Sequence, residues 1–216
     1  MKTNTYIDGP CYGELALIVL AGAGHVTAEL TFSESTALIY SAGVAVAFLG
    51  YLFWRALRTE GVLRSWGMRR DNFWPALRAQ LIFVIFGAMA LTGIAAVMGS
   101  LDLPSTFWLV LVLYPVWGIA QQFALQNLIA RNLAGVLSSP LAIAVVASML
   151  FGRSHFPRID LMLLTLGAGV FFTLIYRRLP NLWAVGIAHG ILGALAVYLV
   201  VDEDPGAALL ALVFQR

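Results

Sequence analysis

The chain has 216 residues, 61% of them hydrophobic and 11% charged, with a mean hydropathy of +0.87. A soluble domain of this size would lack the polar side chains to cover its surface, and one cysteine and 8 prolines exclude disulfide-stapled and collagen-like chains. What remains is an all-α polytopic membrane protein; a net charge of +2 says little about nucleic acid, which is not an expected partner.

Residues 1–14 carry Lys2, Asp8 and Glu14, with no apolar run ahead of Cys11. This start is expected to be neither a signal peptide nor a lipoprotein signal. Cys11, alone, is expected to be inert. Apolar runs then predict about seven spanning helices, near 15–31, 35–55, 78–99, 106–131, 140–152, 160–177 and 181–201. At about 20 residues per span these consume the chain, so 1–216 reads as a single integral membrane domain. Glu34, Asp102, Pro180 and the run Asp202–Asp204 punctuate the spans. The fifth helix is short, and 209–214 is too short to cross and is expected at the interface.

Basic residues orient the chain. Lys2, Arg55, Arg58, Arg64, Arg69, Arg70, Arg78, Arg131, Arg177 and Arg178 fall on one side, and Arg153, Arg158 and Arg216 on the other. The N-terminus is therefore expected in the cytoplasm and the acidic tail outside. Residues 56–77, with Trp66, Phe73 and Trp74 among arginines, read either as an amphipathic segment on the cytoplasmic face or as a positive loop that only fixes topology.

Polar side chains inside spans are costly and point to function. Here they are His25 and Glu29 on helix one, Gln121, Gln122, Gln126 and Asn127 on helix four, Arg153 and His155 ending helix five, and His189 on helix seven. At 100° per residue, Tyr114, Trp117 and Gln121 share one stripe, and Gln122 and Gln126 form an adjoining one. Phe151 and His155, four apart, share a face if their helix persists that far. His189 sits beside Gly186, Gly190 and Ala194, a small-residue stripe that admits a neighbouring backbone. Each also has a structural reading: the amides as interhelical glue, His155 in a wet outer loop, His189 as a packed side chain, and His25 with Glu29 as a local pair. At 1.5 Å per residue, Gln121 lies roughly 15 Å from Arg131, His189 roughly 12 Å from Asn181, and His155 roughly 22 Å from Ser139. These depths allow one shared site on helices four, five and seven.

In this order, the residues resemble the CAAX-protease and bacteriocin-processing (CPBP, or Abi) family of intramembrane endopeptidases. That family's pattern is Glu-Glu-x-x-x-Arg, then Phe-x-x-x-His, then His-x-x-x-Asn or Asp on a later helix. Phe151–His155 matches the second motif, and His189, after 181–185, matches the start of the third. The first motif aligns with Gln121 and Gln122, and Gln126 stands at its arginine. The resemblance covers roughly 105–200, which it marks as the CPBP-like core. It implies a multi-pass protein of a bacterial plasma membrane acting on a membrane-anchored peptide or protein. By the same resemblance the catalytic positions are His155, His189, Gln121 and Gln122, and the substrate-binding ones Gln126, Phe151, Gly190 and Gly193.

The departures set the chemistry. An amide at Gln121 cannot take a proton as a glutamate base would, Gln126 lacks an arginine's charge, and Gly193 has no side chain to donate. Two histidines remain to activate water, with Gln121 or Gln122 orienting it or donating to an oxyanion. The alternative is an inactive member that binds or chaperones a similar substrate. No metal and no cofactor are expected: catalytic zinc wants a third protein ligand, and Gln is a poor one. A transporter would need charged residues in mid-span on several helices, and helices two, three and six lack them. Glu29 offers one further option, as a relocated carboxylate that could hydrogen-bond His155 and raise its basicity.

Overall fold

The computed structural model describes residues 9–214, so Lys2, Asp8 and Arg216 lie outside the described residues. Ten α-helices are present among these: α1 (Tyr12–Thr31), α2 (Glu34–Arg58), α3 (Val62–Ser65), α4 (Phe73–Met98), α5 (Thr106–Phe123), α6 (Arg131–Leu133), α7 (Pro140–Arg153), α8 (Ile159–Arg178), α9 (Leu182–Ala196) and α10 (Pro205–Phe214). Two π segments follow directly on helices: π1 (Ala124–Ala130) after α5 and π2 (Val197–Val201) after α9. Six stretches are long and apolar enough to cross a bilayer: 12–31, 39–58, 73–98, 106–133, 159–178 and 182–201. The fold is thus all-α, polytopic and membrane-embedded. The expected fifth span is α7, whose 14 residues rise only about 21 Å against a hydrocarbon core of about 30 Å. The tail forms α10, 10 residues long and, as expected, shorter than a span.

Residues 56–77 contain no extended amphipathic helix. α3 is four residues long, entered through Gly61 at φ 75°, a conformation that glycine adopts without Cβ strain. Trp66 is buried rather than laid on a surface. The Arg55 guanidinium lies 6.0 Å from its ring centroid, a cation–π distance.

The chain forms two compact units, each built from two separate chain segments. The first comprises residues 1–69 and 124–174. Its core joins Leu125, Ile129 and Leu133 of π1 and α6 to Ile143, Ala147 and Phe151, a one-sided i, i+4, i+8 stripe of α7. Ser139 caps α7 by accepting from the Ala142 N–H, with Pro140 at the first turn. A charged cluster closes one end: Glu14 accepts from Arg55 at 2.6 Å, Tyr51 at 2.5 Å and Asn132 at 3.1 Å. Asn132 Oδ1 in turn accepts from the Cys11 N–H at 2.7 Å, which anchors the start of α1.

The second unit comprises residues 70–123 and 175–216. Here α5 and α9 run antiparallel with their backbones in contact. Gly186 faces Ile119, Gly190 faces Pro115 and Tyr114, and Gly118 faces Gly186 and Gly190. Without a hydrophobic drive between helices in lipid, such closeness depends on small residues, as the glycine stripe predicted. Asn181 caps α9 through the Ala184 N–H and donates to Asn72, which donates to the Pro180 carbonyl. At the far end Asp204 accepts from the Thr106 and Tyr198 hydroxyls, both at 2.8 Å.

Candidate functional site

In the second unit, the α5–α9 contact determines which glutamine meets which histidine. Tyr114, Gly118 and Gln122 stand at i, i+4 and i+8 on the face of α5 that α9 covers. Gln122 is completely buried, and its Nε2 lies 2.8 Å from Nδ1 of the half-buried His189. An amide NH2 only donates, so in this orientation Nδ1 accepts and the neutral ring carries its proton on Nε2. The flipped amide would accept from Nδ1–H and leave Nε2 as a base. In either case a neutral group fixes the imidazole tautomer. One turn on, a Cβ at Gly193 would stand 3.8 Å from His189 Cδ2 and 3.1 Å from the Tyr114 ring. The bare glycine therefore leaves the ring edges of Tyr114 and His189 facing the same small space.

Gln121 is half-exposed and makes no side-chain hydrogen bond among the described residues. Of the adjacent pair, Gln122 is thus the partner of His189. Gly190, expected to line a substrate, sits where a Cβ would run into the Pro115 backbone. The structure uses it for helix packing.

In the first unit, α7 ends at Arg153, short of the histidine, and Ser154 forms its C-cap. The expected pair nevertheless meets. The Phe151 and His155 rings pack edge to face with centroids 5.3 Å apart, held by the turn in which the His155 N–H donates to the Gly152 carbonyl. Nδ1 of His155 is buried without a hydrogen-bond partner. Burial pushes this histidine below its ordinary value, against the opposing pull of the Phe151 and Gly152 carbonyls, and nearby His25 adds to the lowering. Burial thus favours the neutral form of His155.

Gln126 and Asn127 lie in π1, a helix form that is rare and frequent at functional sites. Both are buried. Gln126 donates to Thr173 at 3.2 Å, and Asn127 donates to the Trp66 carbonyl at 3.3 Å. Gln126 thus serves α8 packing within its unit.

His25 and Glu29 form the local pair, with Nε2 to Oε1 at 3.8 Å, and His25 Nδ1 lies 2.9 Å from Ser41 Oγ. Among the described residues His155 has no hydrogen bond to Glu29, whose carboxylate has His25 as its local partner. Among the described residues, no group of three or more His, Cys, Asp or Glu is placed to hold a metal ion.

Two clusters were not singled out from the sequence. Glu14 reads there as part of a polar tail, yet it is buried against Arg55 and Asn132, 41 and 118 positions away. Asp204 reads as punctuation, yet it braces α10. Burial works against its carboxylate, but the Ala207 N–H and the Tyr198 and Thr106 hydroxyls outweigh it and hold the group below the usual carboxylate range.

Residues 103–195 match the family model of type II CAAX prenyl endopeptidase Rce1-like proteins, consistent with membership of the CAAX-protease and bacteriocin-processing family. The matched stretch runs from just before α5 to the last turns of α9 and holds all three motif positions. No curated protein and no solved structure matches the chain.

Proposed function

With a CAAX-protease-like core as the premise, we propose that the chain is an intramembrane endopeptidase homologue acting on a membrane-anchored peptide or protein. The observation that carries this reading is the bond between fully buried Gln122 and His189. A buried amide is costly unless it is hydrogen-bonded, and here the bond goes to the His189 ring, so the pair holds the imidazole in one orientation. With the amide donating to Nδ1, the Nε2–H would serve as a donor to a substrate carbonyl or its developing oxyanion, and such donors are worth about 10²–10³ in rate. A neutral histidine acting as electrophile has precedent in enzyme chemistry. Neutral His155 is a second candidate, as proton acceptor from water. Tyr114 and Gly193 would shape the space beside the His189 ring, and Gln121 would act as an orienting group of lesser weight.

Each unit is assembled from two separate chain segments, which supports one integral membrane domain rather than a cut between domains. The ten-to-three division of basic residues supports a cytoplasmic N-terminus. A binding-only reading is favoured by one observation: the first motif carries amides where a carboxylate base would stand.

Turnover of tagged membrane peptides by the purified full chain separates these readings. His189→Ala is expected to cost about 10²–10⁴-fold, Gln122→Leu less than that, and Gln121→Ala least. Equal losses for Gln121→Ala and His189→Ala would overturn this division of roles. Retained peptide binding without turnover by the wild type would establish the binding reading.

A further inference from the structure

The α1–α2 pair contains a slot that the peptidase reading does not use. Two polar rungs tie these helices together. Near one end the Tyr40 hydroxyl donates to the Ala21 carbonyl at 3.1 Å, and its ring fills the space beside Gly24. Near the other the Tyr51 hydroxyl donates to Glu14. Between the rungs lies an open groove of about 390 Å³ lined by Leu17, Leu20, Val44, Ala47 and Phe48, with Glu14 and Tyr51 at one end. From Tyr40 to Tyr51 along α2 is roughly 16 Å at 1.5 Å per residue, close to half of the about 30 Å hydrocarbon core. The slot therefore has the length of one leaflet.

Its two ends differ in charge. The Glu14 end leads to Arg55, which bonds Glu14 at 2.6 Å, and to the exposed Arg58 one turn beyond. Exposed Arg64 on α3 follows. Arg131 adds a further positive charge near Glu14. Four arginines thus stand against two carboxylates, Glu14 and the exposed Glu60. Trp54 and Leu57 are 55% and 71% exposed beside Arg58, the mixture of aromatic, aliphatic and basic side chains found at a membrane–water interface.

From the leaflet-length apolar slot and its basic end, we propose that α1 and α2 bind an anionic phospholipid. One acyl chain lies between the Tyr40 and Tyr51 rungs, and the phosphate is held at Arg58. An anionic headgroup complements the arginine excess, and a zwitterionic one brings no net charge to it. The Glu14–Arg55 pair stands at that end, so the headgroup meets the outer arginines while the carboxylate is already satisfied. This site is independent of any peptidase activity.

The test uses the full chain, delipidated in detergent and returned to micelles doped with phosphatidylglycerol or phosphatidylcholine, with lipid retention read by native mass spectrometry. The wild type is expected to keep one phosphatidylglycerol in preference to phosphatidylcholine. Arg58→Gln should reduce that preference about fivefold, the effect of one basic residue at a charged surface. Ala47→Trp should fill the slot and end retention of both lipids. Leu20→Phe, on the opposite wall, carries the same expectation should the tryptophan variant fail to fold. Equal retention of the two lipids by the wild type, or a filled slot that still retains phosphatidylglycerol, would overturn the site.

Discussion

The pairs α5–α9 and α1–α2 solve the same problem in opposite ways. In α5–α9, glycines bring backbone against backbone, and the polar groups, Gln122 and His189, are enclosed where the helices meet. In α1–α2, tyrosine rungs join helices that leave a slot between them, and the polar pair His25–Glu29 stays partly open. The difference shows how a bilayer protein sets the rigidity of a histidine. Helices in lipid gain nothing from hydrophobic burial against each other, so local closeness follows from side-chain size, and closeness decides how far an imidazole's partner is enclosed with it.

The contrast breaks most sharply at the tight pair. Gly190→Leu would drive a side chain into the Pro115 backbone, with no flexible neighbour to yield. Overpacking of this kind costs about 1–3 kcal/mol, occasionally more, and the backbone contact places this variant at the upper end. The control is Gly167→Ala on α8, where nothing lies within 4 Å of an added Cβ. Removing a mid-helix glycine there should stabilise by roughly 0.5–1 kcal/mol. Thermal melts in detergent should move in opposite directions, and parallel shifts would mean that α5 and α9 are not in backbone contact.

Much of this was legible in the chain. The spans were visible because apolar runs of spanning length have few other readings, and the stripe Gly186–Gly190–Ala194 announced a close helix neighbour. The choice between Gln121 and Gln122 was not legible, since adjacent residues lie 100° apart and only the position of α9 says which stripe is inside. π1 was hidden because apolar periodicity does not record hydrogen-bond register. Trp66 read as a surface residue because its cover, Arg55 and Asn127, comes from elsewhere in the chain. Glu14 was opaque for the same reason. The lead-in to α7 was readable in detail, because Ser139 and Pro140 act locally.

His155 sharpens the comparison by a smaller effect. Its ring is half-buried, like that of His189, but has no side-chain hydrogen-bond partner among the described residues to stabilise the charged form. Burial holds its folded-state value below the unfolded histidine value of about 6.5. The folded state therefore prefers neutral His155, and this contribution is intact above about pH 6.5 and lost as pH falls from there through the depressed folded value. Melting temperature is expected to decline on acidification from neutral pH, and His155→Phe should flatten the decline. An unchanged slope would assign the acid sensitivity to another group.

The smallest effect belongs to Glu29. Its carboxylate lies 3.8 Å from His25 Nε2, and the two side chains are 45% and 35% exposed. Pairs four apart on a helix contribute about 0.2–0.5 kcal/mol, and exposed ion pairs are further weakened by solvent and salt. The Ser41 contact at 2.9 Å keeps His25 in place without the acid. Glu29→Gln is therefore expected to shift stability by no more than about 0.5 kcal/mol and to leave any turnover at the wild-type level. A folded Glu29→Gln variant with impaired turnover would show that the carboxylate reaches the reaction after all. The loose pair would then hold a proton acceptor, and catalysis would no longer depend on neutral groups alone.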